Sequence, residues 1–359
     1  MASGATVEGS APAPRANPDL FGHEATEEAL SRLGRSGRLP HALLFGGPRG
    51  IGKATLAFRL ARFLLAGNAV EAGRGLATNP DSPVSRRVAA GGHADLLTVE
   101  RALDAQRHRL RGDITADQTR EIAGFLHLTA GEGGWRIVIV DEAETMNRNA
   151  ANALLKILEE PPRGTLLLLV SHRPGALLPT IRSRCRRLRL EALASPVVTM
   201  LLGRYRPQLE PTEAAMAAAL SRGSIGRALE LADAGGLALY RSFAEILSDL
   251  PRLDMQRLHA FVDGCAGAGA ETAYRMVGEL LLQSVARIAV LAADRGCSST
   301  EQAAHMGETL RRLAASGTAA SWADLRQTIG DDLTAADDLN LDRKQTLLGA
   351  FFAMAEMTR

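Results

Sequence analysis

The chain predicts an α/β P-loop fold, a mainly parallel sheet with helices on both faces, followed by a small helical lid and an all-α C-terminal domain. Three observations predict it. A Gly-rich run, Gly46-Gly47-Pro48-Arg49-Gly50-Ile51-Gly52-Lys53-Ala54-Thr55, follows a short apolar segment and precedes a helical pattern. Apolar runs without alternation recur at 96–99, 137–140 and 166–170, which suits strands covered on both faces. Past residue 190 such runs stop and only helical periodicity continues.

The elements follow in order. Residues 1–18 are rich in Ala, Gly, Ser and Pro and lack a basic region followed by an apolar stretch; they read as a disordered tail, not a signal peptide. A strand at 42–45 leads into the Gly-rich run, and a helix is expected over 53–65. Residues 67–92 show little periodicity and read as a surface excursion. After a strand at 96–99, Ile122, Phe125 and Leu126 take helical spacing within 117–128, with Asp117 at the start. Strands at 137–140 and 166–170 flank a helix over 149–159, stopped by Pro161-Pro162. A last strand is expected at 187–190. The domains are then 19–190 (nucleotide-binding-like), 191–235 (helical lid) and 236–359 (all-helical), with Gly235-Gly236 as a linker and long helices over 271–293 and 342–357.

With 359 residues, 46% hydrophobic content and a formal charge of +2, the chain has no basic surplus that would make nucleic acid its main partner. Its three cysteines, Cys185, Cys265 and Cys297, are widely spaced and offer no C-x-x-C metal pair. The apolar runs 166–170 and 288–293 are far short of a membrane span. A cytoplasmic protein without membrane contact is expected.

The chemistry concentrates in a few places. Gly47, Gly52 and Lys53 fit a phosphate-binding loop, whose glycines let the backbone wrap an anion while Lys53 reaches the terminal phosphates. The last position departs from the pattern: Ala54 replaces the Ser or Thr whose hydroxyl ligates Mg²⁺. Thr55 is one residue late, about 100° away on the helix, and should not substitute freely. Arg136-Ile137-Val138-Ile139-Val140-Asp141-Glu142 is an apolar strand ending in acids. Asp141 would hold Mg²⁺, directly or through water, and Glu142 would orient an attacking water; the plain alternative is an acidic turn cap. Ser171 and His172 close the next strand and either face the γ-phosphate or form a strand-end turn. Arg182, Arg184, Arg186, Arg187 and Arg189 form a basic run from which charge alone selects none.

Taken together, Pro40-His41-Ala42-Leu43-Leu44-Phe45, the Gly-rich run, Asp141-Glu142-Ala143-Glu144, Asn152-Ala153-Leu154-Leu155-Lys156-Ile157-Leu158-Glu159-Glu160-Pro161-Pro162 and Ile181-Arg182-Ser183-Arg184-Cys185 resemble the AAA+ clamp-loader family over residues 20–190. Gly223-Ser224-Ile225-Gly226-Arg227-Ala228-Leu229 extends the likeness into the lid, and Asn340-Leu341-Asp342-Arg343-Lys344-Gln345 is similar to one branch of the family. The resemblance implies that Arg184 is an arginine finger acting in trans on ATP held by a neighbouring subunit, and that Arg227 is the sensor-2 arginine. It implies a nucleotide site built from Gly47, Gly50, Gly52, Lys53, Ala54, Thr55, Asp141, Ser171 and Arg227. ATP with Mg²⁺ at Asp141 is the implied cofactor, with Glu142 as a catalytic residue in cis.

Ala54 and the absence of the family's four-cysteine zinc module from 67–92 favour the stator branch over the ATP-hydrolysing motor branch. The helical end at Arg359 leads to the same expectation, since it leaves no long tail for other replication proteins. No zinc is expected, and the chain's own ATPase should be weak or absent. Implied partners are the motor (gamma/tau) and delta subunits, with the sliding clamp and primed DNA contacted through the complex. The C-terminal helices would form an oligomerising collar. Leu280, Leu281, Val285, Ile288, Phe351 and Phe352 are either its interface or intradomain core. The alternatives are a motor subunit or another AAA+ ATPase, for which Glu142 speaks, and a plain DNA-binding protein, which the near-zero charge opposes.

Overall fold

The structure is a computed structural model that describes residues 11–67, 75–104, 109–110, 112–132, 134–233, 235–267, 269–293 and 306–359. Helix α1 (Glu24–Arg35) precedes strand β1 (Ala42–Gly46) and helix α2 (Lys53–Leu65). Then come α3 (Pro83–Ala89), β2 (Leu96–Val99) and the short antiparallel pair β3 (Leu103–Asp104) and β4 (Arg109–Leu110). Helix α4 (Ala116–His127), β5 (Arg136–Val140), α5 (Arg148–Glu159), β6 (Thr165–Ser171), α6 (Pro179–Arg184) and β7 (Arg186–Arg189) complete the α/β part.

Five strands form one parallel sheet in the order β2-β5-β6-β1-β7. The three central strands are buried along their whole length, and period-two geometry divides their side chains between two layers. Leu43, Phe45, Ile137, Ile139, Leu166, Leu168 and Val170 join α2 in one core. Ala42, Leu44, Val138, Val140, Leu167 and Leu169 join α4 and α5 in the other. Each fully buried aliphatic or aromatic side chain contributes about 1.5–3 kcal/mol relative to exposure. Caps follow the sequence: Asn147 Oδ1 accepts from the Ala150 amide at 2.9 Å to start α5, and Thr115 with Gln118 forms a capping box on α4.

Two expectations about this region need correction. Residues 68–74 of the expected surface excursion lie outside the described residues, but Leu76 and Val88 from its remainder are 1% and 0% exposed and belong to the core beside α2. Low periodicity concealed a short helix, α3, whose Ser82 side chain accepts from the Ser85 amide. The expected tail of residues 1–18 is also held in part. Arg62 donates to the backbone carbonyls of Arg15 (2.8 Å) and Asn17 (2.6 Å), and Arg59 donates to that of Pro18 and to Glu27 Oε1. Buried guanidiniums on α2 require acceptors, and this strap supplies them; residues 1–10 lie outside the described set.

The remaining helices are α7 (Ser195–Tyr205), α8 (Pro211–Ser221), α9 (Ile225–Ala232), α10 (Gly236–Asp249), α11 (Met255–Ala266), α12 (Glu271–Ala293), α13 (Gly307–Ala314), α14 (Ala319–Leu339) and α15 (Arg343–Met357). The chain divides into two compact units, 1–209 with 221–228, and 210–220 with 229–359, so residues of the expected lid are shared between them. In the second unit the Asn-Leu-Asp-Arg-Lys-Gln run is a helix junction. Asn340 ends α14 in the left-handed region (φ 52°), and Asp342 Oδ1 caps α15 by accepting from Lys344 and Gln345 amides. Leu280, Leu281, Val285, Ile288 and Phe351 are buried, whereas Phe352 is 39% exposed. Helix α12 corrects the view that no apolar segment approaches a membrane span: its 23 residues have the length and the composition of one. It packs against α11, α13 and α14 and carries Arg275, Glu279 and Arg287, as a core helix does.

Candidate functional site

Strand β1 ends at Gly46, and α2 starts at Lys53 behind Gly52. The loop therefore leaves the C-terminal edge of the sheet and feeds a helix N-terminus, the geometry that aims amides at an anion. Lys53 is 3% exposed, and its Nζ donates to the Pro48 carbonyl of its own loop at 2.5 Å. Burial pushes its amine down to about 8, against the pull of Asp141 and Glu144.

This shift has a testable sign. Between pH 8 and the ordinary lysine value of 10.5, the unfolded chain holds a proton that folded Lys53 has lost. Stability contributed through this residue therefore rises with pH across that window. Denaturant midpoints at pH 7.5 and 9.5 should differ more favourably for the unaltered protein than for Lys53→Met. Equal pH responses would contradict the shift.

Gly50 is where the loop meets residues 224–226. Its φ of +74° is left-handed, and a Cβ there would stand 2.4 Å from Ser224 Oγ and 3.0 Å from Gly226 Cα. The Gly226 amide donates to the Gly50 carbonyl at 3.0 Å, and the Arg227 amide donates to Ser224 Oγ at 3.1 Å. Arg227 thus sits in the first turn of α9, half-buried, immediately beside the residues that touch the loop. Gly47, Gly50, Gly52 and Lys53 lie in this loop or at its helix end, and the backbone of Arg227 lies next to the residues that contact it.

The acidic pair stands beside this loop. Val140 is in register with Val99 of β2 and Leu169 of β6, so Asp141 and Glu142 emerge at the same sheet edge as the P-loop. Burial raises the Asp141 carboxyl above the usual range, partly offset by the Glu142 amide, which donates to Asp141 Oδ1 at 2.9 Å. Glu142 takes a left-handed backbone (φ 48°). Its carboxylate lies 2.6 Å from Arg101 Nη2 and 3.4 Å from His172 Nε2. The His172 hydrogen bond, with help from Arg101, pulls its pKa down to about 2.

Strand β6 lies between β1 and β5, and Ser171 pairs in register with Gly46. Ser171 is fully buried, and its Oγ accepts from the Arg173 amide at 3.2 Å, as in a strand-end turn. His172 is the member of the pair whose ring faces the acids, while its amide donates to Glu144 Oε1 at 2.9 Å. Ala54 is half-buried in the first turn of α2 and brings no oxygen; Thr55 is 8% exposed. The phosphate-cradling part of the loop therefore fits an anion, but the magnesium ligand set lacks its hydroxyl. Among the described residues no group of three or more His, Cys, Asp or Glu is placed to hold a metal ion.

Arg184 is elsewhere. It ends α6, just before β7, whose Arg186 is level with Leu43 and whose Arg189 is level with Gly46. At about 3.3 Å per parallel residue, the two ends of β7 are already ~10 Å apart. Arg184 stands beyond the lower end, and the P-loop leaves the upper one. Its Nη2 is 2.7 Å from Glu159 Oε1, and its Nη1 donates to the Thr180 carbonyl at 3.1 Å.

Sequence reasoning missed Arg101 and Glu144 as partners of the acidic pair. A signal for Arg101 existed: it stands two residues past the end of β2, the strand beside the one that carries the acids. Nothing in the sequence spacing marked Glu144, whose role depends on the turn after β5 folding back under β6.

Comparison with known proteins now adds to this geometry. Residues 22–194 match the family described as "DNA polymerase III, delta subunit". The DNA polymerase III subunit delta' of Pseudomonas aeruginosa is 44% identical over 160 residues, covering 44% of this chain and 46% of that protein. The subunit delta' of Yersinia pestis is 36% identical over 152 residues, 42% of this chain and 41% of that one. A DNA polymerase III subunit gamma/tau of Mycobacterium tuberculosis is 35% identical over 199 residues, 54% of this chain and 32% of the relative. The chain thus spans less than half the length of each of these relatives. The P-loop, the acidic strand end and the Ser-Arg-Cys segment all lie inside the region matched by the family model and by the delta' relatives, so residues 22–194 are similar to DNA polymerase III delta' subunits.

Proposed function

We propose that this protein is the delta' stator of a bacterial clamp loader, which lends Arg184 to ATP bound by a neighbouring motor subunit while the assembly loads a sliding clamp on primed DNA. The observation that carries the reading is the position of Arg184. A guanidinium at the opposite end of the sheet from its own phosphate loop is out of reach of that loop, yet 36% of its side chain is exposed to solvent. A fixed guanidinium stabilises charge developing on a transferred phosphoryl group, so hydrolysis there requires subunit contact. The partners in this reading are gamma/tau and delta subunits.

The chain's own loop is proposed to bind nucleotide through Gly47, Gly50, Gly52 and Lys53, with the lid segment at Arg227 closing over it. Bound ATP would bring the triphosphate, and Mg²⁺ at Asp141 would screen it. Here Ala54 offers no ligand, Lys53 is occupied by Pro48, and Glu142 is held by Arg101 and His172. These contacts favour binding without turnover. The second reading, a gamma/tau-type motor, is favoured by Lys53, Asp141 and Glu142 meeting at one sheet edge.

The test is steady-state ATPase of the purified chain, and of a complex rebuilt from gamma/tau and delta subunits with and without it. The stator reading expects no turnover alone and a gain of at least several-fold on assembly. Robust turnover by the isolated chain would favour the motor.

A further inference from the structure

The carboxylate that holds Arg184 stands where a carboxylate does not help its own helix. Glu159 is the last residue of α5, at the negative end of the helix, where acids are unfavourable. The helix cannot extend to bury it further, because Pro161 follows two residues later. Its contact is with Arg184, at 2.7 Å.

The backbone under Arg184 is fixed on both sides. Ile181 is fully buried and Cys185 is 7% exposed, both within the core between the sheet and α5. Only the end of the long side chain is free to wander. The Thr180 carbonyl accepts from Nη1, and Glu159 Oε1 forms an ion pair with Nη2 on the other terminal nitrogen. A guanidinium has five N–H groups, so these two contacts restrain the fork from both terminal nitrogens and leave donors for a second acceptor.

We propose that Glu159 is a positioning residue that aims Arg184 at the phosphates of the neighbouring subunit's ATP. The proposal rests on the reading that Arg184 acts in trans. Without Glu159 the guanidinium is still charged and still attached, but it samples many rotamers and seldom presents two aligned donors. The loss then falls on the chemical step and not on ATP binding, because the neighbour holds ATP through its own loop.

The experiment uses the complex rebuilt with gamma/tau and delta subunits, carrying Glu159→Ala, Glu159→Gln or Arg184→Ala in this chain. ATPase is measured across ATP concentrations, with circular dichroism and gel filtration to check folding and assembly. The pair is exposed, so both Glu159 variants should fold. E159A is expected to lower kcat by a fraction of the loss seen in R184A, with KM for ATP unchanged. E159Q keeps an acceptor oxygen and should recover most of the rate. Unchanged or raised kcat in E159A, a change confined to KM, or equal losses in E159A and E159Q would each overturn the positioning role. If R184A itself leaves kcat unchanged, the trans reading fails, and the result is distinguishable from failure of Glu159 alone.

Discussion

With Arg184 replaced by alanine, hydrolysis of the ATP this subunit faces is expected to fall by roughly 10³-fold or more, the range for removal of an arginine finger. The chain should remain folded, since the Arg184 side chain is 36% exposed and its ion pair with Glu159 lies at the surface. Total turnover of a complex with several ATP sites would fall only by the share of this site, so single-turnover hydrolysis is the sharper measurement. Arg184→Lys should rescue little, because an ammonium is a point charge and cannot fork onto two oxygens. Full-rate hydrolysis at every site in the R184A complex would remove the trans assignment.

Phe45→Ala is expected to cost about 3–5 kcal/mol of stability, the usual range for emptying a buried aromatic site. Phe45 is 0% exposed on β1, in register with Val170 on one side and Leu188 on the other. It points into the same core as Leu56, Leu60 and Phe63 of α2. The cavity would therefore open under the helix that begins at Lys53, and phosphate affinity should fall together with stability. Phe352→Ala, at a side chain 39% exposed, should cost far less. Urea denaturation of the two variants makes the comparison; equal midpoints would contradict the close packing under β1.

Much of the α/β architecture was legible because its physics is local. The central strands are apolar runs with no polar face, which only a sheet covered on both sides tolerates, and α2 runs over the predicted 53–65. The basic run looked unselective by charge. Only the family likeness singled out Arg184, and the strand register then placed it at the far end of the sheet from the P-loop. What the sequence hid depends on long-range contact. The strap at residues 15–18 is stabilised by arginines more than forty positions away on α2. Helix α3 has too few residues to display a period, and its burial comes from the neighbouring face of α2. Arg101 and His172 converge on Glu142 from different strands, so no spacing along the chain announces the pinned carboxylate.

The strand order has a consequence for how the chain acquires its phosphate loop. Strand β1 hydrogen-bonds on one side to β6 and on the other to β7, both of which follow it only at residues 165–171 and 186–189. During synthesis the loop sequence emerges early, but the strand that supports it has no partner until β6 has left the ribosome. Pairings this distant pay their loop-closure entropy before they return any stability. A nascent or truncated chain ending before residue 165 would carry a complete phosphate-loop motif on an unpaired apolar strand, a species prone to aggregation and chaperone capture. The smallest fragment in which β1 has both of its strand partners therefore reaches at least to Arg189.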